Sequence, residues 1–204
     1  MKIIDLEQGS PEWLSWRENH ITSTDASVIM DLNPWCDKKT LQGRKLGFID
    51  PIKENAAMRR GSELEPEARA IFIEKTGIVV EPAVGESEDH PYMGTSLDGI
   101  SEDGNVIVEI KSPVRLNKHL AHLEQGVIIE PHYRCQIMHH LAVSGAECCF
   151  YVSYHPEDPD KVIIKEVMPD KEFIERMIEA ERYFYEKNIL LMEPIDERLF
   201  DEKR

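Results

Sequence analysis

No stretch of this 204-residue chain approaches the roughly 20 consecutive apolar residues needed to span a bilayer, which excludes a helical membrane protein. The opening residues, Met1 to Glu7, lack the apolar core of a secretory signal. The four cysteines, Cys36, Cys135, Cys148 and Cys149, form no C-x-x-C pair and no metal-ligand spacing. These absences point to a reducing, cytoplasmic setting, with the cysteines as buried small hydrophobes. There is no internal repeat, no low-complexity tract and no linker long enough to separate domains. Positive charge is also scarce. Lysine and arginine number 24 against 39 acidic residues, a net charge of −15, which excludes a protein that coats nucleic acid by bulk electrostatics. An enzyme gripping DNA through a local basic track is not excluded. Basic pairs gather at Lys38-Lys39, Arg44-Lys45 and Arg59-Arg60, while much of the acidic excess falls in 157–204. An acidic exterior around a basic channel would discourage unproductive binding outside it.

The length suits one α/β domain with a sizeable core, here taken as 1–204 with an acidic tail from about residue 193. Ser10-Pro11 reads as an N-cap and first helical residue of a short helix through Arg17. Thr22 to Asp25 caps a second helix running to Leu32, stopped by Asn33-Pro34. Further helices are expected over 38–46, 54–76 (ended by Gly77), 117–125, 131–144 and 170–191. Strands are expected after Ile78, over 106–111, 148–154 and 162–167. This order predicts a mixed central sheet flanked by helices.

The chemistry concentrates around Asp98 and Glu109-Ile110-Lys111. The turn signal Ser101 to Asn105 separates them, and a hairpin there would fold the second strand beside the first. Side chains alternate along a strand, so Glu109 and Lys111 share a face while Ile110 points away. Carboxylates on one face repel unless a cation lies between them, and a divalent ion with oxygen ligands is the natural candidate. Alone this is a weak signal, because many surface hairpins carry such residues. Two helical segments strengthen it: Glu65 in Gly61-Ser62-Glu63-Leu64-Glu65, and Gln136 in Tyr133-Arg134-Cys135-Gln136.

The ordered motifs together resemble the phage lambda exonuclease and YqaJ-type viral recombinase family of the PD-(D/E)XK nuclease superfamily. The resemblance spans about Trp13 to Tyr154. It rests on Glu12-Trp13-Leu14 with Arg17, Ile21-Thr22-Ser23-Thr24-Asp25, Gly61-x-x-x-Glu65, Ser96-Leu97-Asp98-Gly99, Glu109-Ile110-Lys111-Ser112-Pro113 and Tyr133-x-x-Gln136. Leu97 stands where the superfamily name puts a proline; the aspartate after it carries the chemistry.

The resemblance implies a restriction-endonuclease-like α/β core and a 5′→3′ exonuclease acting on double-stranded DNA from a 5′-phosphorylated end; the alternatives are another PD-(D/E)XK DNA endonuclease or a non-catalytic DNA-end binding module. Such an exonuclease leaves a 3′ overhang for recombination. The resemblance implies that Asp98, Glu109 and the main-chain carbonyl of Ile110 hold one Mg2+ or Mn2+ ion, with Glu65 completing a second metal site or positioning its water. Lys111 would orient or deprotonate the attacking water, and Gln136 would steady that group or the scissile phosphate. Arg17 would grip the 5′-phosphate, helped by Ser23, Thr24 and free N–H groups at the helix start. The bland alternative makes Thr22 to Asp25 an ordinary cap and Arg17 a surface residue. The resemblance further implies a homotrimeric ring, a single-strand annealing protein as partner and a phage or prophage origin in a bacterial cytoplasm. Elsewhere, His119 and His122 read as solvated or DNA-near, His139 and His140 as half-buried, and Glu63 as exposed. Trp13, Trp16 and Trp35 could stack on DNA ends, but core residues are the simpler reading.

Overall fold

Six strands form one sheet in the order in which the chain makes them: β1 (Lys2–Ile4), β2 (Val80–Glu86), β3 (Gly94–Ser101), β4 (Val106–Lys111), β5 (Cys148–Ser153) and β6 (Ile163–Val167). The computed structural model describes residues 1–124 and 128–196. Helices α1 (Pro11–Glu18), α2 (Ser23–Ile29), α3 (Lys38–Lys45) and α4 (Ala56–Thr76) come between β1 and β2. Helices α5 (Leu116–Glu124) and α6 (Pro131–Ser144) connect β4 to β5, and α7 (Lys171–Tyr183) follows β6. Neighbouring strands are antiparallel except β4 and β5, which are parallel. A parallel pair cannot be closed by a tight turn, so the chain needs the α5–α6 crossover there.

That crossover puts α6 on one face of the sheet. Its inward side chains Cys135, Ile137, Met138 and Leu141 share a core with Leu97, Ile107, Cys149 and Tyr151 from the strands and Met177 from α7. The opposite face is covered by α4, where Ala68 and Phe72 meet Val80, Val108, Ile110 and Val152. Strand β4 is therefore sandwiched between helices, which explains why its residues Ile107 to Ile110 are all buried, Glu109 included.

The expected elements are present with shifted ends. Ser10 caps α1 by accepting from the Trp13 N–H, and Gly77 ends α4 in the left-handed region at φ 74°. The second helix stops at Ile29 rather than Leu32. The last one passes into a π-helical segment over Phe184–Leu190 instead of running on unchanged. Strand β1 was not anticipated; three residues are too few to show alternation. Among the described residues, no helix is long and apolar enough to cross a membrane.

Several burial expectations need correcting. His139 and His140 are fully enclosed rather than half-buried. His119 is enclosed as well, bonded to the Ser153 hydroxyl (2.9 Å) and the Lys161 carbonyl (2.9 Å), because α5 packs its imidazole against the end of β5 and the segment that leads to β6. The side chain of His122 and residues 197–204 of the acidic tail lie outside the described residues. Trp13 and Trp16 are half-buried, but Trp35 is 74% exposed and no core residue. Cys36 is half-buried while the other three cysteines are buried. Glu63 is exposed, as expected.

Candidate active site

A β-bulge lies beside the centre of the site. Between the pairs Glu81–Ile100 and Ala83–Leu97, β2 contributes one residue, Pro82, against two on β3, Asp98 and Gly99. Pro82 has no N–H to offer the ladder, so the bulge costs no hydrogen bond there. A Cβ on Gly99 would lie 2.8 Å from Val80 Cγ2, so only glycine allows this close approach. Bulges turn a side chain away from the regular alternation. The bulge lies on the β2 side of β3; on the other side the regular β3–β4 register, continued one step beyond the Gly99–Val108 pair, sets Asp98 across from Glu109.

The local backbone is satisfied by side chains where the ladder breaks. The Ile110 N–H donates to Asp98 Oδ2 (2.7 Å), and Arg69 Nε on α4 donates to the Asp98 carbonyl (2.6 Å). The turn that sets the hairpin is tied by the Asp103 carboxylate, which accepts from Ser101 Oγ (2.6 Å) and the Asn105 N–H (3.1 Å). Gly104 supplies the positive φ, 75°.

Glu109 and Lys111 do share a face, and they form an ion pair. The other carboxylate oxygen, Oε2, lies 3.1 Å from His140 Nε2. On its far side His140 Nδ1 meets the Thr95 hydroxyl at 2.5 Å. Burial lowers the pKa of His140 more than Glu109 restores it, so the imidazole is neutral. Thr95 then donates to Nδ1, and Nε2–H donates to Glu109. His139, its chain neighbour, is in the opposite state. Burial opposes its charge, but Glu181 (2.9 Å) and the Gly94 carbonyl (3.0 Å) raise its pKa, and both ring nitrogens donate.

Electrostatics separates the carboxyl groups. Burial works against a charged Glu109, yet Lys111 and His140 outweigh it and hold its pKa at about 2. Burial also works against a charged Lys111, but Glu109 and Asp98 raise its pKa, so it is an ammonium. Burial and the nearby Glu109 push Asp98 well above the usual carboxylate range, with Lys111 and the Ile110 N–H offsetting only part. Glu65 on α4 is raised by burial and by Glu109, against Lys111 and Arg69. Three acidic groups thus feel one another and one lysine. Negative charge outruns positive charge until another cation arrives.

The donor set suits a hard divalent ion: two carboxylates facing across a hairpin, a third approaching from a helix, and the Ile110 main chain between them. Among the described residues, no three or more His, Cys, Asp and Glu side chains are already drawn together as a ligand cluster. Lys111 and His140 occupy the Glu109 oxygens instead. Gln136 is half-buried on the same stripe of α6 as Tyr133 and His140, at helical spacings of three and four. Lys111 Nζ lies 5.1 Å from the Tyr133 ring centroid, so this stripe borders the Glu109–Lys111 pair.

A second cluster sits around Arg17. Its guanidinium lies 4.5 Å from the Trp13 ring centroid, and Trp13 Nε1 donates to Ser96 Oγ (2.7 Å), two residues before Asp98. This tethers Arg17's helix to the bulged strand. Asp25 accepts from Lys45 (2.8 Å) and from the Thr22 N–H and hydroxyl (both 2.9 Å). The Thr22 amide is therefore engaged rather than free. Burial lowers the pKa of Arg17, opposed by Asp25. Lys45 also donates to the carbonyls of Arg17 (2.7 Å) and His20 (2.5 Å). Two cations against one carboxylate leave this corner positive. Ser23 and Thr24 begin α2 beside it and are half-buried.

Sequence reasoning missed His140, Thr95, Arg69 and Lys45. The only signal for His140 was its position four residues after Gln136. A buried stripe of α6 that is polar at 133, 136 and 140 is a fair marker of a site wall.

A mixed sheet with a bulged acidic hairpin, a strand Glu-x-Lys and a helical glutamate defines a nuclease-type α/β core. The chain belongs to the YqaJ-like viral recombinase domain family, whose pattern matches residues 12–147. It is 28% identical over 190 residues to the protein YqaJ of Bacillus subtilis, covering 90% of this chain and 58% of that one. It is 25% identical over 170 residues to protein R354 of Acanthamoeba polyphaga mimivirus, covering 78% of this chain and 31% of that one. The chain thus spans a little over half of the first relative and under a third of the second. Among solved structures it is similar to the alkaline exonuclease LHK-Exo of Laribacter hongkongensis, with a TM-score of 0.75 and 26% identity over 87% of this chain and 92% of that one. The same enzyme has been seen in complex with dAMP, at a TM-score of 0.74 and 27% identity over 87% of this chain and 92% of that one. A phage-related exonuclease from Haemophilus somnus shares the fold, with a TM-score of 0.59 and 12% identity over 85% of this chain and 96% of that one.

Proposed function

We propose that this chain is a single nuclease domain that degrades double-stranded DNA from a 5′-phosphorylated end, in the 5′→3′ direction. The observation that carries this reading is the β3–β4 hairpin register, which sets Asp98 across from Glu109 beside the Lys111 ammonium. The similarity to an alkaline exonuclease also seen with dAMP, a deoxynucleoside monophosphate, supports DNA as the substrate.

Asp98, Glu109 and the Ile110 carbonyl would hold Mg2+ or Mn2+, with Glu65 beside a second ion. A bound divalent ion supplies Lewis-acid charge for the scissile phosphate and lowers the pKa of a water. Lys111, held as an ammonium by Glu109 and Asp98, suits orienting the attacking water and neutralising a phosphoryl oxygen better than abstracting a proton. Gln136, on the α6 stripe, offers an amide donor to the same groups. Arg17 presents a planar fork suited to a terminal phosphate, and its stacking on Trp13 fixes the plane of that fork. Ser23 and Thr24 add hydroxyls at the same corner.

Digestion from a 5′ end leaves a 3′ single strand, so the expected partner is a single-strand annealing protein. A homotrimeric ring around the duplex would make digestion processive. The setting is a bacterial cytoplasm, with a phage or prophage origin. The test is a duplex labelled at one 5′ or one 3′ end. Early release of the 5′ label as mononucleotide supports the reading, and early release of the 3′ label reverses the polarity.

A further inference from the structure

Trp35 is the one tryptophan that the fold leaves in solvent, and the loop that carries it is tied down by hydrogen bonds. The Trp35 and Cys36 N–H groups both donate to Asn33 Oδ1 (2.9 and 3.1 Å). Asn33 Nδ2 donates in turn to Ser27 Oγ of α2 (3.0 Å). The loop that carries the indole is thereby fixed to the helix beside Arg17's cluster. One side of the indole meets His132 in a T-shaped contact, with centroids 4.9 Å apart and planes at 83°. His132 lies against Tyr133 with centroids 4.0 Å apart, and Tyr133 borders Lys111. Three rings therefore lead from solvent to the proposed catalytic lysine.

His132 adds an independent observation. It is 8% exposed, and its Nε2 is buried without a hydrogen-bond partner among the described residues. A buried nitrogen left open costs stability unless a ligand completes it. A protein-docking surface would need a contiguous apolar patch. The exposed chain neighbours of Trp35 are instead Pro34, Asp37 and Lys39, two of them charged.

We propose that Trp35 is a stacking platform for an unpaired nucleobase of the strand entering the site, its indole braced from within by the edge contact with His132. This rests on the nuclease reading above. Inside a duplex both faces of each base are covered by neighbours, so the exposed indole accepts only a terminal or unpaired base. It would favour frayed ends over continuous duplex, without reading sequence.

Binding of a short oligothymidylate by the full chain in EDTA tests this without cleavage. Trp35→Ala is expected to weaken binding roughly 5- to 150-fold, the range that loss of one stacked base implies. Trp35→Phe should recover most of the affinity and Trp35→Leu should not, because only the ring offers a π-face. Trp35 lies at the surface, so far-UV circular dichroism should match the parent in all three variants. Unchanged affinity in folded Trp35→Ala overturns the proposal, as does recovery by leucine equal to that by phenylalanine. Failure of the parent chain to bind the oligonucleotide overturns it too. A shift of Trp35→Ala to a smaller species in sedimentation, with DNA affinity unchanged, would assign the indole to an interface between copies. The nuclease reading fails separately, if the parent chain binds DNA but degrades none with Mg2+ or Mn2+.

Discussion

His140 Nε2 lies 3.1 Å from Glu109 Oε2, and the two are enclosed together beneath the bulged hairpin. The imidazole fixes the plane of a carboxylate that would otherwise rotate, and Thr95 fixes the imidazole. Outer partners of metal-binding carboxylates tune affinity strongly. His140→Ala should therefore weaken Mn2+ binding by roughly 10- to 100-fold. His140→Gln, which keeps an N–H donor, should recover part of the loss. Calorimetric titration with Mn2+ checks this, and equal affinities in all three proteins would reduce His140 to a core residue.

Lys111→Ala removes the ammonium that Glu109 and Asp98 hold in place. Cleavage should fall on the order of 10²- to 10³-fold, as for loss of one positioned donor to a developing anion. Binding of DNA ends in Ca2+ should persist. Single-turnover digestion and end binding measured side by side separate the two effects.

The carboxyl pKa values give a pH signature with a definite sign. Asp98 is raised on folding, so its contribution to stability is present below the unfolded carboxylate pKa and is lost as pH rises through its folded value. Glu109 is lowered to about 2, so its contribution is present above the unfolded value and is lost only as pH falls toward 2. At neutral pH the ion-free protein bears the Asp98 cost. Asp98→Asn should raise the thermal midpoint of the ion-free protein at pH 7 by a few degrees while removing Mn2+ binding. Calorimetric scans in EDTA from pH 4 to 8 should show the gain growing with pH. A loss of stability at pH 7 would contradict the electrostatics described here.

How much of this was legible in the sequence differs by element. The face shared by Glu109 and Lys111 follows from strand alternation alone, and the turn at Asp103-Gly104 carries its own signal. The bulge was not read, although Pro82 in a strand and Gly99 after Asp98 both mark it. The facing of Asp98 and Glu109 needs no bulge, since the hairpin register across the Asp103-Gly104 turn gives it; what went unread is the altered pairing of β3 with β2. His139 and His140 could not be sorted, because α6 buries residues on more than one side and no apolar stripe shows which imidazole meets which neighbour. Trp35 looked like a core residue because a single aromatic beside Pro34 carries no periodicity.

Gly99→Ala tests the bulge directly. The new methyl would meet Val80 at 2.8 Å and press against Val108 at 3.4 Å, so strand β3 must shift. A loss of about 1–3 kcal/mol in urea unfolding is expected from overpacking. Mn2+ affinity should fall with it, since a shift of β3 moves Asp98.

Arg17→Ala should erase the advantage of a 5′-phosphate over a 5′-hydroxyl end. One charged hydrogen-bonding group is worth roughly 10- to 100-fold in such a preference. Equal preference in parent and variant would leave Arg17 as a residue that merely stacks on Trp13.

The most direct measurement incubates linear and covalently closed circular duplex DNA with the full chain, in Mg2+ or in EDTA, and sizes the products. Linear DNA bearing 5′-phosphates should be shortened from its ends to mononucleotides in Mg2+ alone, while the circle stays intact. Cleavage of the circle, or an untouched linear duplex in both Mg2+ and Mn2+, would contradict a metal-dependent exonuclease built on Asp98, Glu109 and Lys111.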